Sequence, residues 1–100
     1  MSDQDKIICE TPTPGKQPTR IDKWKYEVIR EAILKVVPKE EPGMLFKELP
    51  QWLEGVINDE DRERLGSLMW YTTTVKLDME VKGELIKLKG RGPQRLIQQA

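Results

Sequence analysis

Basic residues cluster near the C-terminal end of the chain, around a Gly-Arg-Gly-Pro turn. Lys87, Lys89, Arg91 and Arg95 lie within the stretch "LIKLKGRGPQRLI". On a β-strand, Lys87 and Lys89 point to the same face because they are two positions apart. Cations in this arrangement can contact the phosphates of a nucleic-acid backbone. Lysines on a short exposed strand also protect a sheet edge against aggregation, and the sequence leaves both interpretations open.

A second group of candidate contacts lies in the segment just before this stretch. On a helical wheel, Thr72, Thr73 and Lys76 fall on one polar arc together with Glu80. Hydroxyl and ammonium groups on such an arc can reach base edges or phosphates in a DNA major groove. The same arc is also typical of an ordinary solvated helix face, which the acidic Glu80 favours.

The side chains needed for common enzyme chemistry are scarce. Cys9 is the single cysteine and histidine is absent, so intrachain disulfides, the usual zinc sites and histidine-based catalysis are excluded. Asp78 is predicted to be partly buried and paired with a lysine or arginine, Lys16 and Arg20 being within reach. We therefore expect no catalytic residue, no metal and no cofactor.

Charge is distributed unevenly along a chain whose formal net charge is zero. Residues 1–38 carry a net charge of +1, residues 39–64 carry −4 and residues 65–100 carry +3. An acidic middle and a basic C-terminal third predict a dipolar surface. The basic third favours a DNA partner, whereas the neutral total favours a protein partner.

The hydropathy of the chain predicts a cytoplasmic protein that does not associate with a membrane. No apolar run approaches the roughly 18–20 residues of a membrane span. The N-terminal stretch "MSDQDKIICE" lacks the charged, apolar and small-residue order of a secretory signal.

Residues 1–21 are predicted to form a flexible N-terminal arm. The stretch "ETPTPGKQPTR" contains three prolines and a glycine, which disfavour both helix and central strand. We expect at most one short edge strand there, near Arg20 and Ile21. The remaining residues, 22–100, are predicted to form one domain, in keeping with the length of 100 residues.

Three helices are predicted in this domain. The first follows Asp22 as its N-cap and ends at Pro38; the second begins between Phe46 and Glu48, which places Pro50 in its first turn. The third runs from Ser67 to Lys82, with Gly83 as its C-cap. The acidic stretch "NDEDRERLGS" between the second and third helices is interpreted as a connector that can include a short helical turn.

Apolar stripes on these helices predict which side chains pack in the core. The third helix has two such stripes. The first stripe consists of Leu68, Tyr71, Val75 and Met79. The second stripe consists of Trp70, Leu77 and Val81. The three tryptophans, Trp24, Trp52 and Trp70, each fall on an apolar helix face. We therefore predict that all three pack in the core.

The order of elements predicts an α+β fold of the winged helix-turn-helix class. Three helices are followed by apolar runs on either side of the Gly-Arg-Gly-Pro turn, a pattern typical of a β-hairpin. A long third helix that ends in glycine and leads into a two-stranded wing is the plan of winged-helix domains.

Several motifs also resemble those of a family of small bacterial proteins of unknown function. These are the arm motif Thr13-Pro14-Gly15-Lys16, the helix motif Lys25-Tyr26-Glu27 and the helix end from Val75 to Gly83, which is similar to "TVxLDLExKG". The resemblance spans about residues 12–90 and departs at Glu84, an extra residue before the wing. It implies a bacterial winged-helix-like domain and brings no known catalytic residue or ligand.

Two functional hypotheses follow. In the first, the chain is a DNA-binding, transcription-associated protein whose third helix enters the major groove through Thr72, Thr73 and Lys76. Its wing would then grip double-stranded DNA through Lys87, Lys89, Arg91 and Arg95. In the second, the chain is a non-catalytic module that binds a protein partner. We expect a monomer or a weak homodimer, because no helix is left over for a dimer interface.

Overall fold

The computed structural model of the chain describes residues 5–12, 14–90 and 92–99. The described residues form an α+β fold, as predicted. Its elements are β1 (Lys6–Cys9), β2 (Thr19–Asp22), α1 (Lys23–Val36), β3 (Met44–Leu45), α2 (Leu49–Val56), α3 (Asp59–Leu65), α4 (Leu68–Val81), β4 (Leu85–Lys87) and β5 (Arg95–Gln98). Among these residues, no helix is both long enough and apolar enough to cross a bilayer.

The three predicted helices are confirmed as α1, α2 and α4. Helix α1 ends at Val36, close to Pro38, and α2 follows a 3₁₀ turn over Phe46–Glu48 with Pro50 in its first turn. Asp22 occupies the N-cap position of α1, but its side chain makes no capping hydrogen bond there and pairs with Lys6 instead.

The prediction of three helices is wrong, because the acidic connector forms a further helix, α3. The Asn58 side chain caps this helix by accepting a hydrogen bond from the Asp61 backbone N–H at 2.8 Å. Three acidic residues in the first turn and two arginines in the last turn match the helix dipole. Leu65 anchors α3 in the core, with only 1% of its surface exposed.

The N-terminal residues contain two strands where the sequence predicts at most one. Strands β1 and β2 pair in antiparallel fashion, with Ile7 opposite Ile21 and Cys9 opposite Thr19. Cys9 and Ile21 are both buried in the core. Hydrophobic burial therefore holds this hairpin against the helices, and the division of the chain at residue 21 stays a prediction.

The predicted wing hairpin is part of a larger sheet. Strands β4 and β5 pair with Lys87 opposite Leu96, and β5 also pairs with β3, so that β5 is central in the order β3-β5-β4. Gly43, just before β3, has φ +76°, and a Cβ atom there would lie 2.5 Å from the Leu96 carbonyl oxygen. Glycine thus permits the close approach of β3 to β5. The prediction of a two-stranded wing is corrected accordingly, because β3 adds a third strand to it.

A single apolar core joins the helices to both sheets. The side chains at its centre are less than 2% exposed; they include Ile29, Ile33, Leu49, Leu53, Leu65, Val75, Met79 and Leu96. Because α4 contributes to this core beside α1, α2, α3, β1 and β4, it has neighbours on several sides. This crowding determines which of its residues can reach solvent.

Candidate functional site

Helix α4 buries the first of the two stripes predicted from the sequence. Val75 and Met79 are completely buried, while Leu68 and Tyr71 are half-buried beside them. The helix begins after Ser67, whose hydroxyl accepts a hydrogen bond from the Trp70 backbone N–H at 3.2 Å. It ends at Val81 with Lys82 as its C-cap. Gly83 follows directly with φ +80° and allows the Glu84 N–H to bond the Met79 carbonyl at 2.8 Å. These predictions are confirmed.

The polar arc of α4 does not face solvent as the wheel suggests. Thr72 has no exposed surface and Lys76 is 3% exposed, while Thr73 is half-buried. The Lys76 ammonium lies 2.6 Å from the Glu80 carboxylate and 4.6 Å from the centre of the Phe46 ring. The interpretation as a solvated arc is therefore wrong for Thr72 and Lys76, because neighbouring elements widen the buried sector of this helix.

The face of α4 that reaches solvent is apolar instead. Met69, Trp70 and Val81 are 59%, 46% and 42% exposed, and Thr74 and Leu77 are half-buried between them. The second predicted stripe thus lies at the surface and not in the core. We call this surface, formed by Met69, Trp70, Thr74, Leu77 and Val81, the α4 face.

The prediction that all three tryptophans pack in the core is also wrong. Trp52, on α2, is 55% exposed and Trp70 is 46% exposed. Only Trp24 is packed against the core, half-buried, with the Arg64 guanidinium 4.4 Å from the centre of its ring. Because the core is small and is already covered by other helix faces, the large rings of Trp52 and Trp70 remain at the surface.

A cavity of about 340 Å³ separates the α4 face from the N-terminal hairpin. Trp70, Thr74 and Leu77 form its helix wall, and Glu10 and Lys16 are among the residues on the opposite side. The concave surface therefore combines apolar and charged side chains. Such a mixture suits a protein segment better than the uniformly anionic backbone of DNA.

Asp78 joins three parts of the fold below this surface. It has no exposed surface, and its carboxylate accepts hydrogen bonds from the Tyr26 hydroxyl at 2.5 Å, the Lys82 ammonium at 2.5 Å and the Glu10 backbone N–H at 2.9 Å. The predicted burial is confirmed, but Lys82 takes the place expected for Lys16 or Arg20. We call Asp78, Tyr26, Lys82 and the Glu10 amide the Asp78 cluster.

The electrostatics of this cluster favour a charged Asp78 carboxylate beside the Lys82 ammonium and the neutral Tyr26 hydroxyl. Burial raises the pKa of Asp78, but the hydrogen bonds from Lys82, Tyr26 and Glu10 outweigh it, so this pKa lies below its ordinary value. Burial and the hydrogen bond to Asp78 raise the pKa of Tyr26. Burial, and then the Asp78 charge, raise the pKa of the Cys9 thiol to about 11, which leaves this thiol a weak nucleophile at neutral pH.

Glu84, just before β4, forms an ion pair with helix α1. The Arg30 guanidinium bonds the Glu84 carboxylate through two nitrogens, at 3.1 Å and 2.5 Å. This two-point contact connects α1 to the start of β4. Leu85, directly after Glu84, is buried in the core, so the contact lies where β4 enters the core.

Three of the four basic residues predicted for the wing lie at the surface around a second cavity. Lys87, Lys89 and Arg95 are exposed and line a space of about 590 Å³ together with Glu41. Arg91 lies outside the described residues. None of the other three forms an ion pair within the part of the chain that the structure describes. The exposed wing cations therefore do not share one surface with Thr72 and Lys76, which are buried.

No metal centre is visible from the side chains. Across residues 5–12, 14–90 and 92–99, no three cysteine, aspartate or glutamate side chains are grouped so that they could hold an ion.

The sequence identified the wing cations and the burial of Asp78, but it did not predict the exposed α4 face. The weak separation of polar and apolar residues around α4 was the one signal that this helix could not be oriented from its own sequence.

Comparison with known families identifies the chain as a member of a family of unknown function (DUF6958), whose model matches residues 6–96. This confirms the predicted resemblance to a small family of unknown function. No curated protein and no solved structure is detectably similar to the chain.

Proposed function

We propose that the chain is a non-catalytic module that binds a protein partner on a winged-helix scaffold. The scaffold corresponds to α1, β3, α2, α4, β4 and β5, with the short helix α3 inserted before α4. The strand order β3-β5-β4 and the two-residue connection between α3 and α4 support this assignment. The N-terminal hairpin is an addition that covers one side of α4.

The observation that carries the proposal is the composition of the α4 face. Met69, Trp70 and Val81 expose apolar surface where a DNA-reading helix would present polar and basic groups. The lysines in this region already form ion pairs within the chain: Lys76 is buried beside Glu80, and Lys82 bonds Asp78. Exposed apolar groups gathered on one face indicate a protein interface.

The proposal is tested by crosslinking from the α4 face. A photoreactive amino acid in place of Met69 should trap a specific partner in the native cells, whereas the same group in place of the exposed Glu27 on α1 should not. The trapped protein is then purified and its affinity measured directly. We expect Trp70→Ala to weaken binding about thirtyfold or more, because exposed tryptophans dominate such interfaces. Equal adducts from both positions, or unchanged binding by Trp70→Ala, would overturn the proposal.

A second candidate function is contact with nucleic-acid phosphates through the wing. It is favoured by the exposure of Lys87, Lys89 and Arg95 around one cavity without ion-pair partners among the described residues. The test is an amide chemical-shift titration with mixed-sequence duplex DNA at low salt and again at about 0.2 M salt, since phosphate contacts are strongly salt-dependent. Shifts confined to the wing that vanish in Lys87→Gln/Lys89→Gln would support this function. An unperturbed spectrum at low salt would exclude it.

A further inference from the structure

A groove away from the α4 face plays no part in the proposed binding of a protein partner, although Arg95 beside it is also one of the wing cations. It lies between the end of α1, strand β3 and helix α2, and has a volume of about 570 Å³. Its apolar lining consists of Val36, Pro38, Met44, Leu45, Trp52 and Val56. A space of this size accommodates several side chains.

Helix α2 forms a raised wall beside this groove. Glu48, Trp52 and Val56 follow one another at a spacing of four residues and therefore share one face, about 12 Å long. Trp52 is 55% exposed and Val56 is 40% exposed. The same surface thus carries both a projecting aromatic ring and a recess that could receive one.

The charges around the groove have both signs. Lys35 and Arg95 lie at its edge with Glu48, and none of the three forms an ion pair within the described residues. A surface related to itself by a two-fold axis presents the same charges in reverse order, so acids of one copy can meet cations of the other. The zero net charge of the chain also removes long-range repulsion between copies.

We propose that the groove binds a second copy of this chain in an isologous homodimer. Trp52 of each copy enters the groove of the other, and Glu48 of each copy meets the Lys35 and Arg95 cations of the other. The dimer leaves the α4 face free, so it is independent of the proposed protein partner. The aromatic ring at the centre provides most of the affinity, and the charges determine the orientation.

The two exposed tryptophans provide a matched test. Sedimentation equilibrium of the full chain should show a concentration-dependent dimer, with a dissociation constant raised about thirtyfold or more by Trp52→Ala and unchanged by Trp70→Ala. Circular dichroism checks that both variants fold, which their exposure favours. If the chain were still monomeric at about 1 mM, a concentration at which even very weak dimers form, the proposal would be overturned. Loss of the dimer in Trp70→Ala alone would also overturn it.

A charge exchange tests the two-fold arrangement separately. Glu48→Lys makes the edge of the groove entirely cationic, and Lys35→Glu/Arg95→Glu makes it entirely acidic. Each variant alone should dimerise at least tenfold more weakly than the wild-type chain, and an equimolar mixture should form heterodimers. A mixture that dimerises no better than its separate components would show that these residues do not meet across the interface.

Discussion

Asp78 and Lys76 are two buried charges on the same helix, and the protein satisfies them in different ways. Asp78 accepts hydrogen bonds from α1, from the residue after β1 and from the end of its own helix. Lys76 has one carboxylate, that of Glu80 one turn later, and the face of the Phe46 ring. The hydrogen bonds of Asp78 therefore connect segments that are distant in the sequence, whereas the ion pair of Lys76 joins neighbours on one helix.

This difference predicts unequal contributions to stability. A buried charge with a complete set of partners leaves several groups unsatisfied when it is removed. A buried ion pair offers little net stabilisation, because desolvation of both groups opposes their attraction. We therefore expect the Asp78 cluster to stabilise the arrangement of α1, α4 and the N-terminal hairpin. The Lys76–Glu80 pair should be replaceable by apolar side chains.

The largest effect is expected for Asp78→Ala. This change leaves the buried Tyr26 hydroxyl and the Glu10 amide without their acceptor, so it should lower the free energy of unfolding by about 3–5 kcal/mol. Urea denaturation measures the loss. Glu63→Ala, at an exposed position of α3, is the control and should change stability by less than about 0.5 kcal/mol. A loss below about 1 kcal/mol for Asp78→Ala would show that the cluster is not a structural centre.

The same carboxylate predicts sensitivity to acid. Because the pKa of Asp78 is lowered in the folded state, its contribution to stability is present above the unfolded pKa of about 3.9 and is lost as the pH falls through the folded pKa. The free energy of unfolding should therefore fall on acidification below about pH 4 in the wild-type chain, and less steeply in Asp78→Asn. The slope that persists in the variant includes Asp22, whose pKa the Lys6 hydrogen bond lowers. Identical slopes for both chains would contradict the assignment.

The next largest effect is expected for Glu80→Ala. Lys76 would then remain buried without a carboxylate, which should cost about 2–3 kcal/mol because its ammonium must reach solvent or stay unpaired. Thermal unfolding monitored by circular dichroism measures the change. If Glu80→Ala were more damaging than Asp78→Ala, the proposed ranking of the two sites would be reversed.

A smaller loss, about 2 kcal/mol, is expected for Tyr26→Phe. The ring continues to fill its place in the core, and only the hydrogen bond to the charged Asp78 is removed. A double-variant cycle with Asp78→Asn isolates the energy of this contact. Fully additive effects of the two changes would indicate that the hydroxyl and the carboxylate do not interact.

The smallest effect is expected for Lys76→Met/Glu80→Leu, in which both charges of the pair are replaced by apolar side chains. Removal of both partners leaves no buried charge unpaired, and methionine fills a similar volume against Phe46, so stability should change by less than about 1 kcal/mol. Urea denaturation of the double variant beside Lys76→Met alone checks whether the whole pair is replaceable. A loss in the double variant comparable to that of Glu80→Ala would mean that the ion pair itself stabilises the fold.

Local sequence patterns were sufficient to predict most helices. The proline at the second helix, the serine before α4 and the glycine after it act through the backbone within a few residues. Helix α3 had equally local signals, an Asn58 cap and oppositely charged ends. The sequence predicted no more than a short helical turn there, because the acidic composition was interpreted as a connector. Strand β2 coincides with the short strand expected near Arg20 and Ile21. Its partner β1 was missed because both strands are short and a proline-rich segment separates them.

The orientation of α4 and the role of its charges needed the tertiary structure. By itself the sequence determined the α+β composition and the approximate bounds of α1, α2 and α4. It also determined that Asp78 is buried and that basic residues cluster after α4. Each of these features depends on neighbours along the chain or on simple periodicity. Only the packing of the helices around the core decided that Thr72 and Lys76 are buried while Trp52 and Trp70 are exposed. The physical reason is that burial is shared among all the elements around a small core, so a helix with a weak apolar face is oriented by its surroundings.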